Sequence, residues 1–267
     1  MVIFSVILVI IAASFTIDLV IENKFMLKTR REKPVGNVKI FHLSDVHKRK
    51  NIVHKICRAA ENESPDLIFI TGDLVSRSQT DFSEIDMMLG NLCEIAPVYM
   101  CFGNHEQSLP DEKQRELLEI LRKNQVHLLL NRYEELEFKG RKIRIYGLMQ
   151  KYSTYKKNGS YRNLDGFTVK EMEQLIGKVP DCETFLLAHN PLFAKEYAEW
   201  GADHTFSGHV HGGSVRLFGI GILSPERRFF PKYSKGVYTI GKNQIHVTAG
   251  IGKLRMFNPP EIVIYNI

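Results

Sequence analysis

Cysteine and tryptophan are scarce in this chain. Its 267 residues hold four of the first and one of the second, Trp200. Cys57, Cys93, Cys101 and Cys182 form no C-x-x-C pair, which excludes a zinc ribbon or a thioredoxin-like dithiol centre. Cys57, Cys93 and Cys101 stand in apolar or helical surroundings and are expected as buried free thiols, which leans towards a reducing compartment. Internal repeats and low-complexity tracts are missing too. With 44% hydrophobic and 25% charged residues, the composition excludes disordered and collagen-like classes. The net charge of +6 favours anionic partners, whether phosphate, anionic lipid or nucleic acid, without choosing among them.

One long apolar run stands out at residues 1–21, with no Lys or Arg ahead of it. A cleaved signal peptide wants positive charge before its apolar core, so that reading is disfavoured. A buried core helix would need cover on every side. The run matches the ~20 residues a membrane span requires. Behind it, Lys24, Lys28, Arg30, Arg31 and Lys33 outnumber Glu22 and Glu32. The preferred organisation is a transmembrane or membrane-embedded anchor at 1–21, a basic juxtamembrane linker at 22–36 and a domain at 37–267. The basic flank puts that domain on the cytoplasmic face of the membrane.

From Val38 onwards strands and helices alternate. Strands are expected at 38–44, 67–71, 97–102 and 126–130, with helices at 51–62, 81–92 and 110–124. A β-hairpin follows at 135–138 and 142–147. Further strands are expected at 184–188, 204–207, 244–249 and 261–266, and a helix opens at Asn190-Pro191 and runs to Trp200. The fold class is α/β, with two packed mixed sheets and helices outside.

The chemistry gathers behind the strands. Asp45 and His47 follow the first, and Gly72-Asp73 the second. Gly103-Asn104-His105-Glu106 follow the third, His189 the strand at 184–188, and Gly208-His209-Val210-His211 the next. Ligands of α/β sheets bind at the carboxyl ends of strands. Taken singly, each group reads as a turn or a solvated histidine. Five successive strand ends bearing carboxylate, imidazole and amide groups suit a Mn, Fe or Zn site. The glycines before Asp73, Asn104 and His209 are expected where the chain turns sharply. His42, His54, His127, His204 and His246 receive no role.

The ordered set D-x-H, G-D, G-N-H-E, H and G-H-x-H resembles the calcineurin-like metallophosphoesterase superfamily over roughly residues 38–267. LSDVH, ITGDLV, GHVHGG and FFPKYSKGVY point to its bacterial membrane-associated branch, which includes relatives of UDP-2,3-diacylglucosamine hydrolases. The resemblance implies a four-layer α/β/β/α sandwich holding two metal ions. Asp45, His47, Asp73 and His211 would hold one metal; Asp73, Asn104, His189 and His209 would hold the other, with Asp73 bridging. His105 would give a proton to the leaving oxygen or act as a transition-state donor, and Glu106 could orient His105. The implied activity is hydrolysis of a phosphodiester or pyrophosphate by a metal-bound hydroxide, on a substrate that is lipid-linked or nucleotide-like. A nuclease and a non-catalytic interaction module on the same fold are the alternatives; no accessory nucleic-acid module is evident. Ser214 replaces the Gln that relatives tend to carry.

Two stretches mix basic and aromatic residues. Residues 151–162 hold Lys151, Lys156, Lys157 and Arg162 among Tyr152, Tyr155 and Tyr161. Residues 227–235 hold Arg227, Arg228, Lys232 and Lys235 beside Phe229, Phe230 and Tyr233. Each reads either as a solvated loop or as a surface for an anionic headgroup or membrane.

Overall fold

The structure, a computed structural model, describes residues 2–161, 163–224, 229–253 and 255–267. Arg162, Arg227 and Arg228 lie outside the described residues. The chain runs α1 (Val2–Lys24), β1 (Lys28–Arg31), β2 (Lys39–Leu43), α2 (Val53–Glu63), β3 (Leu67–Thr71), α3 (Ser83–Ile95) and β4 (Val98–Cys101). It continues with α4 (Asp111–Lys123), β5 (His127–Leu128), β6 (Arg132–Phe138), β7 (Arg141–Leu148), α5 (Val169–Ile176), β8 (Glu183–Ala188), α6 (Ala194–Trp200) and β9 (His204–Ser207). It closes with β10 (Val215–Leu217), β11 (Ile220–Leu223), β12 (Gly236–Ile240), β13 (Asn243–Val247) and β14 (Glu261–Asn266).

Two six-stranded mixed sheets result, ordered β1-β14-β2-β3-β4-β5 and β12-β13-β9-β8-β7-β6. Side-chain alternation explains their stacking, because successive residues of a strand face opposite ways. In β3, Ile68 and Ile70 join the cluster beneath α2, α3 and α4. Leu67 and Phe69 enter the layer between the sheets with Ile143, Phe185 and Phe206. The outer face of the second sheet packs Tyr146 and Leu186 against Met172 of α5 and Trp200 of α6. β2 to β5 run parallel, as do β7, β8, β9 and β13, so each sheet aligns several carboxyl ends at one edge.

Three expectations need correction. An N-terminal helix forms, but among the described residues no helix is long and apolar enough to cross a membrane. Asp18, Glu22 and Lys24 fall within α1. α1 is not a core helix either: Phe4, Val9, Ile10 and Ile17 are exposed. Residues 28–31, expected inside a linker, pair as an edge strand with β14, where Arg30 reaches the buried carboxylate of Glu261. Finally, α5, β12 and the β10–β11 hairpin were not expected. The capping box between Thr168 and Glu171 was a readable start signal for α5.

Some of the histidines without a role belong to the interior. His42 and His246 are buried, and His204 Nδ1 lies 3.1 Å from His246 Nε2. Burial pushes His42 down to about 3 and His204 to about 4, and holds His246 well below its ordinary value. Their folded pKa values are depressed, so below about pH 6.5 the unfolded chain binds protons that the folded chain does not. Stability should therefore fall as pH drops from 6.5 towards 4, with a slope approaching ~1.4 kcal/mol per pH unit per histidine. Urea unfolding across that range would show it, and His42→Asn should flatten the slope.

Candidate metal centre

β2, β3 and β4 of one sheet and β8 and β9 of the other end at a common edge, and the loops leaving them meet. The backbone there is unusual. Asp45 (φ 55°), His47 (51°), Asp73 (51°), His209 (66°) and His211 (51°) all occupy the left-handed region. That conformation is uncommon for residues with a Cβ, and neighbouring structure must enforce it. Gly72, at φ 78°, turns as the sequence suggests. Gly208 serves a different purpose: a Cβ there would collide with the Ser44 hydroxyl and press on Asp45. Close approach of two loops, rather than a sharp turn, requires glycine at that position.

The ligand-type side chains form overlapping groups. Asp45, His47 and His211 bring their ligand atoms within 4.8 Å of one another, as do Asp73, His189 and His209. Asp45 Oδ1 lies 3.2 Å from His211 Nε2, and Asp73 Oδ2 lies 3.4 Å from His189 Nε2. Asp73 Oδ2 is also 3.9 Å from Nε2 of both His47 and His105, so this carboxylate stands between the two groups. Asn104 is buried, at the end of β4.

Hydrogen bonding tests whether these residues suit metal ions. Asp45 Oδ1, Asn104 Oδ1 and His189 Nε2 are buried and, among the described residues, have no hydrogen-bond partner. Orphaned polar atoms are costly in a protein interior. These three atoms are a carboxylate oxygen, an amide oxygen and an imidazole nitrogen, all hard or borderline donors. The other nitrogen of His189 sits 2.6 Å from the Thr71 carbonyl. That contact fixes Nδ1–H as donor and turns Nε2 towards Asp73, as second-shell carbonyls do for metal-binding histidines. The other Asp45 oxygen accepts from the His209 N–H. Burial opposes ionisation of Asp45 and Asp73, but the neighbouring histidines outweigh it and hold both carboxyls well below the usual range. Burial also opposes charging of His189, yet Asp73 and Asp45 raise it to about 10. The donors fit divalent or trivalent metal.

A calcineurin-like phosphoesterase family model matches residues 38–213, a stretch that contains all seven of these donors. The chain belongs to the calcineurin-like phosphoesterase family. It is accordingly a metal-dependent phosphoester hydrolase. It is 28% identical over 243 residues to an uncharacterised metallophosphoesterase, Cj0846, of Campylobacter jejuni; that match covers 86% of this chain and spans 59% of the relative's length. Phosphodiesterase YaeI of Escherichia coli is 26% identical over 86% of this chain and 82% of its own length. The UDP-2,3-diacylglucosamine pyrophosphatase LpxG of Chlamydia muridarum is 24% identical over 85% of this chain and 82% of its own. The crystal structure of TT1561 from Thermus thermophilus shares the fold, with a TM-score of 0.52 at 12% identity over 82% of this chain and 90% of that one.

Within this phosphoesterase, Glu106 does not orient the His105 ring. It is fully buried, and its carboxylate accepts the backbone N–H groups of Asp73, Val75 and Gly103. It ties the loop after β3 to the loop after β4. Burial and the nearby Asp73 carboxylate push it up to about 7, against those donors. His105 is positioned instead by its own N–H, 2.8 Å from Asp73 Oδ1, and by Arg77. The Arg77 N–H lies 3.2 Å from His105 Nδ1, and its guanidinium lies 3.0 Å from Nε2 and 3.2 Å from the Tyr152 hydroxyl.

Arg77 carries no motif signal, and sequence reasoning missed it. The stretch at 151–162 divides: residues 152–156 pack towards the site, and residues 157–161 are exposed. Tyr155 is buried, 5.0 Å from the His209 ring, and Lys151 and Lys157 pair with Glu171 and Asp165.

Proposed function

We propose that this phosphoesterase uses two metal ions to hydrolyse a phosphodiester or pyrophosphate bond. The observation that carries this reading is Asp73, whose carboxylate stands between two groups of donors. Asp45, His47, Asp73 and His211 would hold one ion; Asp73, Asn104, His189 and His209 would hold the other. Such a pair supplies Lewis-acid polarisation of a phosphoryl oxygen and an activated water at neutral pH. The chain's own residues supply the rest. His105 is partly exposed, lies beside Asp73 and gives a proton to the departing oxygen. Arg77 adds positive charge where the phosphoryl group sits, and Glu106 keeps the two loops in register.

The names of two relatives, a phosphodiesterase and a pyrophosphatase of a diacylated sugar nucleotide, support a diester or pyrophosphate that is lipid-linked. The exposed apolar side chains of α1 support attachment to a membrane surface, and the basic residues after it favour an anionic leaflet such as the cytoplasmic one.

His105→Ala tests the assignment. Metal content should stay at the wild-type level while turnover of bis-p-nitrophenyl phosphate falls ~10²–10⁴-fold, the usual weight of a general acid. Full turnover in that variant would remove His105 from the mechanism. A preference for the diester over p-nitrophenyl phosphate would support the bond class.

A further inference from the structure

A cavity of about 660 Å³ opens between β1, the β10–β11 hairpin and the turn at 257–259. Its interior is cationic: Lys28, Arg30, Arg216 and Lys235 line it with one carboxylate, Glu261. Arg30 and Lys235 share that buried carboxylate, and Arg30 also pairs with Glu32, which leaves Lys28 and Arg216 as the cations without an ion pair among the described residues. Arg216 is held by the carbonyls of Gly212 and Gly219 and by the Ser234 hydroxyl, and no carboxylate among the described residues forms an ion pair with it. Burial, together with repulsion from Arg30, lowers the pKa of both Lys235 and Arg216. An anion in the cavity would relieve that repulsion.

The rim is apolar, and it is held out at a cost. The hairpin tip is Phe218-Gly219, both at positive φ (49° and 81°), as a two-residue hairpin turn requires. Phenylalanine is a poor choice for such a position, and this one is fully exposed. Leu217 and Ile220 beside it, and Phe229 and Phe230, are exposed as well. Phe257, also on the rim, packs edge-on at 5.2 Å against Phe15 of α1. The rim is therefore continuous with the apolar helix. A strained, exposed aromatic tip beside such a helix suits insertion among acyl chains.

We propose that this cavity binds the phosphate headgroup of an anionic membrane lipid, with the hairpin tip and α1 lying against its acyl chains. A free phosphate would meet the same cations but would make no use of the aromatic rim. The proposal rests on the membrane attachment put forward above, and it is separate from the metal centre.

Flotation of the full chain with phosphatidylcholine vesicles, with or without one part in five of phosphatidylglycerol, tests it. The wild type should favour the anionic vesicles ~10-fold, since each Lys or Arg near such a surface adds appreciably to binding. Lys28→Glu should reduce binding to the phosphatidylcholine level. Phe218→Ser should weaken binding to both vesicles. Both variants should keep wild-type turnover of bis-p-nitrophenyl phosphate. An undiminished anionic preference in Lys28→Glu would overturn the proposal, as would equal binding of the wild type to both vesicles. Saturable binding of inorganic phosphate by the wild type, lost in Lys28→Glu while the vesicle preference stays unchanged, would show a free-anion site and overturn it too. Asp73→Ala separates the two readings. If that variant loses the lipid preference, the headgroup sits at the metal centre as substrate and the cavity proposal fails. If the wild type shows the preference but no metal-dependent turnover with any phosphoester, the proposed function fails and the cavity site stands.

Discussion

Asp73→Ala should lose both metal ions and nearly all turnover. Asp73 belongs to the group with His189 and His209, and it also lies within 3.9 Å of His47 and His105. In the proposed arrangement the other six donors divide between two sites, so this substitution alone would empty both. Lewis-acid stabilisation is worth several kcal/mol, and ~1.4 kcal/mol is tenfold in rate, so turnover should drop by ~10³ or more. The N–H of His105 also loses its acceptor, Asp73 Oδ1. Metal analysis of the purified variant, beside bis-p-nitrophenyl phosphate turnover with Mn, Fe or Zn added back, measures both effects. A variant that retained two ions would show that Asp73 does not bridge.

The second large effect is expected at Glu106, and it separates positioning from catalysis. Its carboxylate is the acceptor for three backbone N–H groups, those of Asp73, Val75 and Gly103. Glu106→Ala leaves all three buried without that partner. An unsatisfied buried donor costs about 1–3 kcal/mol, so the variant should lose at least about 3 kcal/mol of stability. The loop carrying Asp73 would loosen with it, and metal affinity should fall. Glu106→Gln keeps one acceptor oxygen and nearly the same volume. It should recover most of the stability and much of the turnover. A residue that transferred protons would give the opposite pattern, with the fold intact and turnover lost in Glu106→Gln. Urea unfolding of the metal-loaded protein, with kcat and KM measured separately, distinguishes the two patterns.

Much of the centre was legible because its residues are local to strand ends. Asp45-Val46-His47, Gly72-Asp73, Asn104-His105 and His209-Val210-His211 each follow an apolar run that can only be a strand, and parallel strands put such ends together. His189, a single residue in an unremarkable context, was found by the same rule. Arg77 was not found, because it meets His105 across two loops and 28 positions of sequence. Glu106 was placed beside His105 by adjacency, yet consecutive residues of a turn point apart, and its partners are backbone groups that no motif records. The aromatic loop at 151–162 was divided between solvent and membrane in the sequence reading. In the fold, Tyr155 closes over His209 and Tyr152 meets Arg77.

The limits of the sequence reading follow from the range of the forces involved. Residue order alone gave most of the alternation of strands and helices, through periodicity, and it carried the ordered motifs whose resemblance pointed to the family and to the candidate donors. Tertiary structure alone forced five of these donors into left-handed backbone. It made Glu106 a clamp for two loops, and it drew β1 out of an apparent linker onto β14 through Arg30 and Glu261. It also gathered Lys28, Arg30, Arg216 and Lys235 around one cavity from segments at opposite ends of the sequence. Burial and charge act through space, and only the folded chain sets those distances.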